Sequence, residues 1–171
     1  MSLNKKNLIL MRHADSLPAL NDLDINRELS PKGIAQAKEA AVFLAKFDID
    51  KLLVSPSVRT RQTLNILNQD LDIKNVEVVE EIYKDNERRI IEIISEQPSH
   101  INNLMIIGHN PSICSNAFAL TKTTDKGYEH LMQILMPPAT IVVIDKLEIS
   151  GWAELYALHQ GCITDIFVPL S

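Results

Sequence analysis

The sequence predicts an α/β domain in three layers: a mostly parallel central sheet, helices on both faces, and an antiparallel extension at the C-terminal end. Three observations carry that expectation. Short apolar runs of strand length alternate with longer stretches whose apolar residues recur at helical spacing, as in parallel sheets with crossover helices. Ser30-Pro31 and Ser55-Pro56 stand at the start of two helical stretches, serine suiting the N-cap and proline the first helical position. From Thr140 onward the pattern turns β-rich around a Ser150-Gly151 turn. With 171 residues, 46 % hydrophobic and 23 % charged, the chain has the size and composition of one domain spanning 1–171. A chain of this length buries about two thirds of its unfolded surface. Disorder and a fibre are excluded. The longest nearly apolar run, Ile134 to Ile144, is broken by Pro137 and Pro138 and falls short of the ~20 residues of a membrane span.

Each element follows in order. Leu8 to Met11 reads as a buried strand, and a polar loop runs from Ala14 to Glu28. Ser30-Pro31 opens a helix that places Ile34, Ala37, Ala41, Leu44 and Ala45 at helical spacing. Leu52 to Ser55 is a second strand, and Ser55-Pro56 opens a helix with Leu64, Leu67 and Leu71 on one face. Val76 to Val79 is a third strand, and Asn86 caps a helix carrying Ile90, Ile93 and Ile94. Leu104 to Ile107 is a fourth strand, and a helix runs from Pro111 to about Leu120. Thr140 to Leu147 and Glu154 to Leu158 form the antiparallel pair.

Seventeen basic and 22 acidic residues give a net charge of −5. A nucleic-acid-binding domain is expected to be basic, with aromatics interleaved among its cations. Here aromatics are 5 %, and nucleic acid is not an expected partner. The run Glu87, Arg88, Arg89 reads as a solvated helix face. Cys114 and Cys162 form no CxxC or zinc-spaced cluster and read as buried or half-buried thiols. Lys5 and Lys6 precede an apolar stretch that stops at Arg12, too short for a signal-peptide core. A cytoplasmic, reduced protein without a membrane partner is expected.

Sites in open α/β sheets lie beyond the carboxyl ends of the strands. Arg12-His13 follows the first strand, Ser55-Pro56-Ser57-Val58-Arg59 the second, and Gly108-His109-Asn110-Pro111 the fourth. Neighbouring strands would bring two arginines and two histidines to one edge. The planar arginine fork matches phosphate geometry and stays charged. A neutral imidazole is a competent nucleophile near pH 7. A second imidazole, protonated beside a phosphate, is a further donor, and a helix starting at Pro111 adds positive potential. The set suits phosphoryl transfer through a phosphohistidine, catalysed by positioning and charge stabilisation.

The motifs Leu-Met-Arg-His at 10–13, Ser-Pro-Ser-Val-Arg-Thr-Arg-Gln-Thr at 55–63 and Gly-His-Asn-Pro at 108–111, in that order and each after an apolar strand, resemble the histidine phosphatase superfamily, whose fold is phosphoglycerate mutase-like. The short chain and the segment from Leu29 to Ala37 resemble the SixA-like phosphohistidine phosphatases. The resemblance covers nearly the whole chain and is sparse in motifs after about residue 121. It implies that His13 is the nucleophile and becomes transiently phosphorylated. It implies that Arg12, Arg59 and His109 hold the phosphoryl oxygens, that water hydrolyses the phosphoenzyme, and that neither metal nor cofactor is needed. Members acting on alkyl phosphates carry a carboxylic acid just after the third strand, to protonate a poor leaving group. Here Lys84 falls at that place, Asp85 is adjacent, and Glu80 and Glu81 are close. A missing acid suits a phosphohistidine substrate, because imidazole leaves more easily than an alkoxide. Asp85 remains the candidate acid.

The remaining residues are weighed one by one. Arg61, two residues past Arg59, points to another helix face and reads as structural or surface charge. Gln62 and Thr63 are expected to pack or cap locally. Asn110 and Ser112 either orient His109 or donate to phosphate, and Asn110 is taken as a substrate-binding candidate. Asp24 and Arg27 resemble a recurrent pair in the family's loop; plain loop polarity is the alternative, for them as for Asp15 and Ser16. His100, His130 and His159 match no motif. A metal at His13 and His109 is disfavoured by the two arginines beside them. Three functions compete. The first is a phosphohistidine phosphatase acting on a phosphotransfer domain or phosphocarrier. The second is a phosphatase of small phosphate compounds that uses Asp85 or a nearby Glu. The third is a non-catalytic phosphoprotein binder, which would not need a free nucleophile.

Overall fold

Strand β1 (Lys6–Arg12) runs through the middle of the molecule, with Leu8, Ile9, Leu10 and Met11 fully buried. Its side chains alternate between two cores, Leu8 and Leu10 on one side and Ile9 and Met11 on the other. A strand buried on both faces reads as a continuous apolar run, which is how this one announces itself. The structure is a computed structural model that describes residues 5–19, 23–84, 87–147, 149–155 and 160–171.

After β1 come α1 (Pro31–Leu44), β2 (Lys51–Val54), α2 (Val58–Leu71) and β3 (Val76–Val78). Then follow α3 (Glu87–Ser95), β4 (Asn103–Gly108), α4 (Ser112–Leu120), α5 (Lys126–Ile134), β5 (Ile141–Leu147) and β6 (Cys162–Phe167). The strands form one six-stranded sheet in the order β3-β2-β4-β1-β5-β6. The first four in that order are parallel; β5 and β6 are antiparallel to their neighbours. Ala37, Ala41 and Leu44 of α1 and Leu64 and Leu67 of α2 pack on the face of Ile9 and Met11. Ile90, Ile93 and Ile94 of α3, Ile113, Ala117 and Leu120 of α4 and Leu131 of α5 pack on the other. Each fully buried leucine or isoleucine among them contributes roughly 1.5–3 kcal/mol, an alanine methyl well under half of that. The three expected layers and the antiparallel extension are present. Among the described residues no helix is long and apolar enough to cross a membrane.

The register positions the site. Arg12 pairs with Gly108 and Val54 with Ile107, so β1, β2 and β4 end at one level. The ladder continues past them: His13 N–H donates to Gly108 O at 3.0 Å, and Ser55 N–H to Ile107 O at 3.2 Å.

Two local expectations are corrected, and one helix is additional to them. The second helix is capped by Ser57, whose side chain accepts from Thr60 N–H, so Ser55 lies outside the helix and its hydroxyl is used elsewhere. The partner of β5 is Cys162–Phe167, not Glu154–Leu158. Trp152–Glu154 forms a 3₁₀ turn instead, with Trp152 donating its indole N–H to Ile101 O at 2.8 Å, while Leu158 lies outside the described residues. Helix α5 had no sequence expectation. It is nine residues long and buries only Leu131.

Candidate active site

Four side chains converge where the three strands end. His13 is 8 %, His109 7 % and Arg59 5 % exposed. The His13 Nδ1 lies 2.7 Å from Ala14 O. A carbonyl only accepts, so Nδ1 carries the proton and Nε2 keeps its lone pair. Arg59 Nε–H donates to that Nε2 at 3.1 Å. His109 has the opposite tautomer by the same logic. Its Nδ1 accepts from Arg59 Nη2 at 3.2 Å, and its Nε2–H donates to Ser55 Oγ at 2.8 Å. The two rings meet edge to face, centroids 5.1 Å apart.

Burial is the main force lowering both imidazole pKa values, and the cationic side chains around them add to it. His13 is lowered to about 3 by burial, with His109, Arg59 and Arg12 opposing a further positive charge. His109 is lowered to about 4 by burial and by Arg59, while the Asp24 carboxylate pulls the other way. Both rings are therefore neutral near pH 7, and the His13 Nε2 lone pair is available for attack.

The chain just after β1 is braced from α1 and α2. Thr63 Oγ1 accepts from Ala14 N–H at 3.2 Å and donates to Arg59 O at 2.8 Å. Gln62 Oε1 accepts from Leu29 N–H at 2.7 Å. Gln36 Oε1 accepts from Asp15 N–H at 3.0 Å. Gln62 and Thr63, expected to pack or cap locally, also bond segments 33 and 49 residues away, and Arg61 is exposed. Arg12 donates through Nη1 to Met136 O at 3.0 Å. Its buried Nε–H has no protein partner among the described residues, and a buried N–H left unpaired is costly unless a ligand takes it.

Between these groups is a pocket of about 220 Å³, lined by Arg12, His13, Arg27, Arg59, His109 and Asn110 among others. Three arginines around so small a volume fit a compact anion. Asn110 differs from the expectation for a phosphate donor: both amide hydrogens go to Leu135 O (3.1 Å) and Met136 O (3.0 Å). It braces the segment that also holds Arg12. Asp85 lies outside the described residues; Glu80 and Glu81 sit in a 3₁₀ turn and do not line the pocket. Lys84 is exposed, and its neighbour Tyr83 turns inward, its ring edge-on to His109 at 5.6 Å. His100 and His130 are exposed, and His159 lies outside the described residues.

Sequence reasoning misses two contributors and under-reads a third. The sequence places Ser55 at a helix start. Nothing local to Tyr83 marks it beside the carboxylates of its segment. Asp24 is legible as one of a pair, but its grip on Arg59 needs the loop's path through space.

Comparison with known proteins follows the same lines. A family model described as histidine phosphatase superfamily (branch 1) matches residues 8–103. The uncharacterized protein Rv1276c of Mycobacterium tuberculosis is 29 % identical over 157 residues, 89 % of this chain and 94 % of that one. The solved structure of a putative phosphohistidine phosphatase SixA from Nakamurella multipartitia superimposes with a TM-score of 0.79 at 23 % identity, over 98 % of both chains. A putative SixA from Agrobacterium tumefaciens superimposes at 0.78 and 22 % identity, over 96 % of this chain and 98 % of that one.

Proposed function

Since the chain belongs to the histidine phosphatase superfamily (branch 1), we propose that it is a phosphohistidine phosphatase, removing a phosphoryl group from a histidine of a partner protein through a covalent phospho-His13. One observation carries this reading: the unprotonated Nε2 of a buried, neutral His13 faces a small pocket whose walls include Arg12, Arg59 and His109. In the first step His13 Nε2 attacks phosphorus in line. The bond from phosphorus to the substrate imidazole breaks, and that ring departs neutral when its other nitrogen carries a proton. In the second step water attacks the phospho-His13 phosphorus, releasing inorganic phosphate and restoring His13.

The positive charge that faces the phosphoryl oxygens comes from Arg59, Arg12 and His109, so the reading requires no metal. His109 is neutral in the free protein. A dianion beside it favours its protonated form, which then donates from Nδ1. Arg59 then redirects two hydrogens to phosphoryl oxygens, Nε–H from the lone pair of His13 and Nη2–H from Nδ1 of His109.

The test is a phosphate-release assay on a phosphohistidine protein, phosphohistidine itself and an alkyl phosphate. His13→Ala is expected to abolish turnover and to prevent an acid-labile phosphoenzyme from forming, because no other side chain offers a nucleophile at that position. An active His13→Ala protein overturns the assignment. Comparable His13-dependent release from the alkyl ester would favour small phosphoesters as substrates, with Asp85 or a nearby glutamate as the acid.

A further inference from the structure

Arg59 presents two edges, and each has separate partners. The inner edge, made of Nε–H and one Nη2 hydrogen, faces His13 Nε2 at 3.1 Å and His109 Nδ1 at 3.2 Å. The outer edge, made of Nη1 and the other Nη2 hydrogen, is held by a single residue. Asp24 accepts from Nη1 with its backbone oxygen at 2.7 Å and from Nη2 with Oδ2 at 2.9 Å. The Asp24 carboxylate is fixed in turn from two other directions. Tyr83 donates its hydroxyl to Oδ2 at 3.1 Å, and Arg27 Nη1 donates to Oδ1 at 3.1 Å. Arg27 is tied down by Leu17 O at 2.8 Å and Ser16 Oγ at 3.0 Å. The loop after β1, helix α2 and the segment after β3 therefore meet at one carboxylate.

We propose that Asp24 is a positioning residue for phosphoryl transfer: it holds Arg59 by the outer edge so that the inner edge spans the gap between His13 and His109, with Tyr83 and Arg27 keeping its carboxylate in place. The inference rests on the phosphoryl-transfer reading above. A guanidinium held on one edge only could swing about its long side chain. Gripped on the outer edge, it meets the phosphoryl oxygens already aligned, and alignment is where such catalysis gains most. Asp24 touches neither the nucleophile nor, on this reading, the substrate; it acts through Arg59. Its side chain is 52 % exposed, so its removal leaves the core intact.

Asp24→Ala, Asp24→Asn and Tyr83→Phe, each in the full chain, test the proposal. Oxyanion affinity is read with tungstate and turnover with a phosphohistidine protein. Asp24→Ala is expected to lower kcat about 10–100-fold, up to the ~10²-fold that a 1 Å misplacement of a reacting group costs. Tungstate affinity should fall far less, because Arg12 and His109 remain. Asp24→Asn should recover part of kcat, since its amide oxygen still accepts one Arg59 N–H. Tyr83→Phe should show a smaller loss of the same kind. The His109 ring, which faces Arg59, Arg12, Arg27, His13, Tyr83 and Asp24, should titrate at lower pH by NMR once the carboxylate is gone. A change confined to melting temperature, or a loss carried wholly by KM with kcat intact, overturns the proposal. Failure of the functional reading looks different: wild-type protein would then neither bind tungstate nor release phosphate.

Discussion

A lysine at position 59 would keep the charge of Arg59 and lose its geometry. The arginine makes four side-chain hydrogen bonds in one plane, to His13, to His109 and twice to Asp24. An ammonium is a point charge on a flexible stem, and it cannot span the two imidazoles while held by the loop. Arg59→Lys is therefore expected to behave much more like Arg59→Ala than like wild type. Both should lose on the order of 10²–10³-fold in rate, the scale of removing a preorganised donor. The comparison is made in kcat/KM on the phosphohistidine protein, with circular dichroism as the fold control. A lysine variant within a fewfold of wild type would mean that charge alone suffices. At this scale much of the site was legible. Arg12, His13, Arg59 and His109 each follow an apolar strand within a short motif, so position and chemistry coincide in one stretch of chain. Asp24 and Tyr83 could not be read with equal force, because their partners are 35 and 59 residues away and nothing local marks the contact.

The helices and strands do more than deliver side chains; one of them abuts the nucleophile's own segment. Gly33 lies in the first turn of α1, and a Cβ there would sit 1.9 Å from the backbone oxygen of Asp15, two residues after His13. The same turn clamps Asp15 through polar groups. Ser30 N–H donates to Asp15 O at 3.1 Å, and Ser30 Oγ donates to Asp15 Oδ2 at 2.5 Å. Any side chain at position 33 must push this backbone away. Gly33→Ala is expected to cost about 1–3 kcal/mol as an overpacked contact and to lower kcat as well, since the shift is transmitted toward His13. Gly151→Ala is the control. Its Cβ would meet only Ser99 Cβ, at 3.4 Å, and the change should stay within about 0.5 kcal/mol. Urea unfolding and phosphate release on both variants check the contrast; equal behaviour of the two removes the close approach as a cause. Element legibility followed burial. The strands under two layers of helix were readable as unbroken apolar runs. Helix α5, with Leu131 alone buried, and β6, half-buried along its length, left no comparable pattern.

Across the whole molecule, neutral buried histidines make stability depend on pH. In the folded protein His13 and His109 are lowered to about 3 and about 4, whereas an unfolded histidine titrates near 6.5. Below pH 6.5 the unfolded chain therefore binds protons at these two positions that the folded chain refuses. Stability is unaffected by them at pH 7.5 and falls as pH drops from about 6.5 toward 4, by up to about 3 kcal/mol for each ring. The general charge works in the other direction. At neutral pH the net charge is −5, and added protons first bring it toward zero, which eases self-repulsion in the folded state. A loss between pH 6.5 and 4.5 must then come from particular groups. Urea titrations across that interval are expected to show it in wild type and to show a shallower slope in His109→Asn and His13→Asn. A slope unchanged in both variants would remove the histidines as its source. The same linkage reaches function. An oxyanion that favours protonated His109 takes up a proton as it binds, so tungstate should bind more tightly at pH 5.5 than at pH 7.5. Its stabilisation of the fold should grow over the interval in which the free protein weakens.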